Sequence, residues 1–242
     1  MKTTLVWILV LGLSTPAFAV ECAVPEGTTP QGVASQGTDA RIAFLAKLLE
    51  EEGQAARRWT LIWGGAYGVL TIAQLSVMGL AADNEKADWY WGAISTAVGV
   101  AFSVLDPLEA LDGGAAYARR SATVAPEQTC QLLLDGERML REGAEHEELG
   151  MKWFIHAGNV LFNLGIGLVL GLGYGRWTSG MVNAAVGVAI GELTIFTSPN
   201  KLVPGWQRYR MGGGGGGSTA GAGVSLHFVT TPGPGVGLLL TF

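Results

Sequence analysis

The chain has 242 residues, 49% of them hydrophobic and only 14% charged, with a net charge of −5. Soluble domains carry about 25% charged residues, so the composition weighs against an ordinary water-soluble domain and points to a membrane class. No basic block resembles a nucleic-acid footprint, so no nucleic-acid partner is expected.

Met1-Lys2 opens a short basic region, Leu5 to Leu13 is an apolar run too short to span a bilayer, and Ala17 and Ala19 supply an A-x-A pattern. Together these read as a signal peptide over 1–19, cleaved after Ala19, that exports the chain from residue 20 onward. Residues 20–38 are rich in Pro, Gly, Thr and Ser and read as a linker. Two cysteines, Cys22 and Cys130, lie in polar segments. An oxidising compartment makes a Cys22–Cys130 disulfide the alternative to two unpaired thiols.

Residues 39–109 read as an amphipathic helix followed by a transmembrane hairpin. Asp39 suits a helix start, Ile42, Leu45, Leu48 and Leu49 recur at helical spacing, and Lys47 and Glu50 to Glu52 are assigned to the opposite side. Trp59 to Ala82 then runs for 24 positions without a formal charge, enough at 1.5 Å per residue to cross ~30 Å of hydrocarbon. Trp59 and Trp63 fit an interfacial aromatic belt. After the polar turn Asp83 to Asp88, Trp89 to Leu105 is a second span, closed by Asp106-Pro107. Residues 110–125, with Gly113-Gly114, read as a polar connection.

Residues 126–198 repeat the plan. Pro126 and Glu127 suit a helix start, and an amphipathic helix runs to about Leu149. Trp153 to Gly175 is a third span, Arg176 marks a tight turn, and Trp177 to Phe196 is a fourth. Glu145-His146-Glu147-Glu148 reads as a solvated helix end rather than a metal site. Residues 199–242 form a tail. Six glycines, Gly212 to Gly217, act as a tether. Short strands are drawn around Pro232 to Gly235. The alternating Val236, Leu238, Leu240 and Phe242 resemble the C-terminal strand signal of outer-membrane β-barrel proteins, over those seven residues alone.

The two halves echo one another. Trp89 to Ala101 aligns with Trp177 to Ala189 with seven identities in thirteen positions, among them Trp89/Trp177, Gly92/Gly180 and Gly99/Gly187. Trp59 to Gly79 aligns more weakly with Trp153 to Gly173. The expected fold is therefore an all-α membrane protein, a four-span bundle built from two tandem helical hairpins, each preceded by an amphipathic helix. Parallel repeats of this kind share an axis along the membrane normal. Helices in lipid associate by close packing and hydrogen bonds, so Gly64, Gly68, Gly167, Gly171, Gly175, Gly187 and Gly191, at small-residue spacing, are the expected packing positions.

Polar side chains inside spans are costly and mark candidate sites. His156, Asn159 and Asn163 share a helix face. Glu192 falls at the depth of Asn159 in an antiparallel pair, which predicts a Glu192–Asn159 hydrogen bond, with Asn163 and Asn183 as further partners. One reading of this cluster is structural and the other is an ion or proton relay. No nucleophile elbow, phosphate loop or paired-carboxylate cleft is present, so no enzyme activity and no cofactor is expected. The first function is a cell-envelope scaffold or interaction protein with the bilayer, a second copy or another envelope protein as partner. The alternative is a small transporter or channel subunit using Glu192. Export of the N-terminus leaves ten basic residues near the spans outside, against the positive-inside rule. The inner membrane is the expected location, with the outer membrane as the alternative.

Overall fold

The computed structural model describes residues 21–105, 108–212, 225–230 and 236–241, with side chains described for 21–105 and 113–212. The signal peptide, the Asp106-Pro107 break, the glycine tether after Gly212 and the terminal Phe242 lie outside the described residues. The described chain is almost wholly helical: α1 (Thr38–Leu80), α2 (Lys86–Leu105), α3 (Leu108–Ser121), α4 (Thr129–Gly150), α5 (Trp153–Leu168), α6 (Trp177–Phe196) and α7 (Leu202–Met211). A π-helical turn, Val169–Gly173, extends α5. Backbone strands β1 (Ser225–Thr230) and β2 (Val236–Thr241) pair antiparallel, with Leu226 opposite Leu240.

Three helices are long and apolar enough to cross a membrane: α1, α5 with its π turn, and α6. Their outward faces carry large apolar side chains in the open, among them Leu61 (70% exposed), Val69 (68%) and Leu172 (72%). Water does not tolerate a contiguous apolar surface of that extent on a monomer.

The amphipathic segment and the first span are one helix. α1 runs unbroken for 43 residues. Its buried positions form one stripe at three- and four-residue spacing: Thr38, Arg41, Leu45, Leu49, Glu52, Ala56, Trp59, Trp63 and Tyr67. The stripe never drifts off one face although the flanking residues change from charged to apolar near Trp59. α4 and α5 are not continuous in this way, because Lys152 takes an extended backbone and starts α5 afresh. The pairing of Trp59 with Trp153 sets Ala56 against Gly150. Alanine favours helix over glycine by about 1 kcal/mol, and Gly150 is the last residue of α4.

Two further helices correct the sequence reading. The connection expected over 110–125 is largely α3. Its Gly114 lies so close to α1 that a Cβ there would strike the Leu49 backbone. The start of the tail is α7, where Pro204 is tolerated because a first-turn N–H needs no helical partner.

The polar halves of α1 and α4, with α3, α7 and the segment from Cys22, form a small domain. Leu45, Leu132, Leu133, Leu140 and Tyr209 are its buried centre. A disulfide joins Cys22 to Cys130 across 108 residues, with Cα atoms 5.4 Å apart. The remainder is an apolar half made of the end of α1 with α2, α5 and α6.

Candidate functional site

In the apolar half, α2 runs back along α1 and α6 runs back along α5. On the first pair, Gly64 meets Ser103, Tyr67 meets Gly99 and Gln74 meets Gly92. On the second, Asn159 meets Gly191, Asn163 meets Gly187, Gly167 meets Gly180 and Gly171 meets Trp177. The glycines of the later helix in each pair thus receive groups from the earlier one. Gly92/Gly180 and Gly99/Gly187, the glycines matched in the sequence echo, are all contact points of this kind. A Cβ at Gly99 would sit 2.6 Å from the Tyr67 ring, and one at Gly167 would sit 2.8 Å from the Gly180 carbonyl oxygen.

The packing glycines are therefore partly others than spacing proposed. Gly167, Gly171, Gly187 and Gly191 do make close approaches, but Gly64 stands at ordinary van der Waals distance and Gly68 faces open space. Gly175 is also open and serves the turn instead, at φ +68°, a left-handed conformation that costs glycine little. Gly92, Gly99 and Gly180 have no glycine four residues away, although the echo itself points to them.

The polar cluster converges. Asn159 Nδ2 donates to Glu192 Oε1 at 2.9 Å and to the Val188 carbonyl at 3.1 Å. His156 Nδ1 lies 2.6 Å from Glu192 Oε2. Asn163 Nδ2 donates to Asn159 Oδ1 at 2.9 Å, and Ser95 Oγ of α2 donates to Asn163 Oδ1 at 3.4 Å. Asn183 joins no partner in this group and donates to the Ser179 carbonyl of its own helix. The His156–Glu192 bond, not foreseen as a pair, arises from the same antiparallel depth that brings Glu192 to Asn159. Glu192 lies four residues before the end of α6, so it sits only about 6 Å inside that end.

The two helix pairs are fastened at both ends. Near the domain, Trp63 Nε1 donates to Thr197 Oγ1 at 2.9 Å, Trp59 Nε1 to the Thr194 carbonyl at 3.3 Å, and Tyr67 OH shares a 2.8 Å bond with Thr194 Oγ1. Trp59 and Trp63 are therefore buried (7% and 9% exposed) and do not form the outward aromatic belt expected of them. Their indole N–H groups need acceptors, and α6 supplies them. At the far end, Arg176 Nε donates to both oxygens of Asp88 at 2.8 and 2.7 Å, closing the two turns on each other. Between these fastenings lies a cavity of about 440 Å³, open to the exterior. Its polar lining is made of uncharged groups, including Gln74, Thr96, Asn163 and Asn183. Val98-Gly99 and Val186-Gly187, matching positions of the echo, line it from opposite helix pairs.

The domain holds two buried charged groups. Arg41 is 1% exposed and bonds Glu137 at 2.5 Å, Tyr209 OH at 3.1 Å, and the carbonyls of Cys22 and Ala23. Tyr209 OH also donates to Glu137. Burial works against the Arg41 charge, but the bonds to Tyr209 and Glu137 outweigh it and hold its pKa above the ordinary value. Burial raises Tyr209 and Tyr117.

The second group pairs carboxyls. Glu147 accepts the backbone N–H groups of Leu202 and Val203 at 3.0 and 2.9 Å, and Glu52 accepts that of Lys201 at 3.4 Å. Between them they cap the first turn of α7. Burial, and Glu52 beside it, push Glu147 up to about 7, and burial raises Glu52 as well. Both placements correct the sequence reading. Glu52, assigned to the polar side, is 4% exposed, and Glu147 leaves the expected solvated helix end to hold α7. Arg41 and Glu52 could have been found, since both fall on the spacing of Leu45 and Leu49. Among the described residues no three His, Cys, Asp or Glu side chains converge as a metal site requires.

Comparison with known protein families, curated proteins and solved structures finds no match.

Proposed function

We propose that the chain is a non-enzymatic, multi-pass cell-envelope protein whose role is scaffolding or interaction, presenting its disulfide-stapled domain on the exported side of the membrane. In this reading α2 is the fourth span. It is 20 residues long, lies along α1 and is tied to the α5–α6 turn through Asp88. The glycines matched in the echo are points of close helix approach in both halves, although the groups they receive differ, which supports two tandem hairpins from an internal repeat. The Cys22–Cys130 bond favours an oxidising compartment for the domain, in agreement with a signal peptide and against the positive-inside bias. A helical architecture favours the inner membrane, because outer-membrane spans are closed β-barrels.

One observation carries the scaffold role: the unbroken stripe of α1 from Arg41 to Tyr67, which holds the domain rigidly on the spans. Transport or conduction through Glu192 is the second reading, favoured by the cavity between the helix pairs. Against it, both Glu192 oxygens are already bonded and the residue stands one turn from the helix end. Ion flux in liposomes decides between them. Reconstituted protein is expected to leave imposed proton and potassium gradients intact, and a flux abolished by Glu192→Gln would replace the scaffold reading with transport. Reporter fusions at Arg120 and Arg176 test orientation, with periplasmic activity expected at Arg120 alone.

A further inference from the structure

We infer that the cavity between the two helix pairs is a binding site for an uncharged, hydroxyl-bearing ester lipid of the surrounding bilayer. The inference rests on the membrane reading above and adds what that reading leaves open, the occupant of the space.

Its volume of about 440 Å³ falls within the range of ligand sites, about 300–1,000 Å³. Left empty, a space of this size would forfeit the contacts of every side chain around it. The walls are mostly apolar, with Phe102, Phe162 and Ile190 among them, and none of the described lining residues carries a charge. An acyl chain suits such walls, and a charged headgroup finds no counter-charge on them.

Two amide groups narrow the class further. Gln74 Oε1 accepts from Thr96, but Gln74 Nε2 has no partner among the described residues. Asn183 Nδ2 donates to Ser179, but Asn183 Oδ1 has none. One is a free donor and the other a free acceptor, and a polar group left unpaired in hydrocarbon costs several kcal/mol. Gln74 is six residues from the end of α1 and Asn183 six from the start of α6, so both lie about 9 Å inside the far end of the apolar half. An ester carbonyl accepts from Gln74 Nε2 and a glycerol hydroxyl donates to Asn183 Oδ1, both from one headgroup at one depth. The acyl chains then run along the Val98-Gly99 and Val186-Gly187 walls. Glycine at 99 and 187 brings Tyr67 and Asn163 against the later helix of each pair.

Photolabelling of the full chain in phosphatidylethanolamine vesicles tests the site. One sample carries a trace of diazirine-tagged diacylglycerol and a parallel one diazirine-tagged phosphatidylglycerol. Adducts are located by peptide mass spectrometry. The diacylglycerol probe is expected to label the cavity positions Val98, Phe102 and Ile190, as well as the outward positions Val69 and Leu161. Gly158 lines the cavity, and a Cβ added there meets nothing within 4 Å, so Gly158→Phe is the variant chosen to fill it. That variant should lower cavity labelling about tenfold while Val69 and Leu161 label as before. Asn183→Leu removes the free acceptor without breaking a bond between helices, and should lower cavity labelling in the same direction. Cavity labelling that is absent, indifferent to both variants, or equally strong with the anionic probe overturns the inference while leaving the membrane reading standing. Loss of labelling at Val69 and Leu161 too would overturn the membrane reading itself.

Discussion

The domain and the apolar half of this protein both draw polar groups inward, but for different physical reasons. In the domain, Arg41 and Glu137 are taken out of water into a leucine core, and each is tolerable only because the other is there. In the apolar half, Asn159, Asn163 and Glu192 are surrounded on one side by hydrocarbon surfaces, and an unfolded-in-membrane reference state also finds them partners. Hydrogen bonds of similar length are therefore expected to contribute very different amounts of stability in the two regions. The domain is held by apolar burial and a disulfide, and the apolar half by glycines that let helices approach.

The largest expected effect comes from breaking the Arg41–Glu137 pair. Glu137→Leu strands a guanidinium that is 1% exposed and should cost about 3–5 kcal/mol. The loss should appear as a lower first melting transition, while the helicity of the apolar half in detergent persists. Reduction of Cys22–Cys130, or Cys130→Ala, comes next. A crosslink spanning 108 residues should be worth about 2–4 kcal/mol, again confined to the domain transition.

Glu147 sharpens the contrast through pH. Its pKa in the folded domain, about 7, lies above the ordinary carboxylate value, so the folded state holds the proton more tightly than the unfolded chain does. Stability from this group is fully present below about pH 4.5 and is lost as pH rises through about 7. The domain transition should therefore fall across that window by about 1–3 kcal/mol. Glu147→Gln, which keeps an oxygen for the Leu202 and Val203 N–H groups, should flatten the fall. The smallest effect is expected in the apolar half. Glu192→Leu removes the bonds to His156 and Asn159, each worth about 0.6 kcal/mol. A loss of about 3 kcal/mol or more there, the cost of stranding a buried charge, would erase the distinction between the two regions.

Much of this arrangement was legible in the sequence where a signal is periodic or repeated. Trp177 and Phe196 bound α6 as the loss of charge suggested, and counting residues from the Arg176 turn placed Glu192 beside Asn159. What escaped were residues whose chemistry contradicts their position. Arg41 and Glu52 occupy leucine positions on the α1 stripe. A reading that sorts charges to the wet side must misplace them, because their partners come from α4 and α7, far along the chain. α7 escaped because its helix depends on carboxylates donated from elsewhere rather than on a cap of its own. Trp59 and Trp63 read as lipid anchors because nothing local reveals that Thr194 and Thr197 stand opposite.

Hydrocarbon must cover Leu61, Val69, Leu161 and Leu172 for any of these contrasts to hold. Alkaline carbonate extraction of membranes carrying the full chain, followed by flotation, tests that most directly. The chain should float with the lipid and leave it only on addition of detergent. Recovery of a monodisperse monomer from the carbonate supernatant, stable in buffer without any amphiphile, would contradict it.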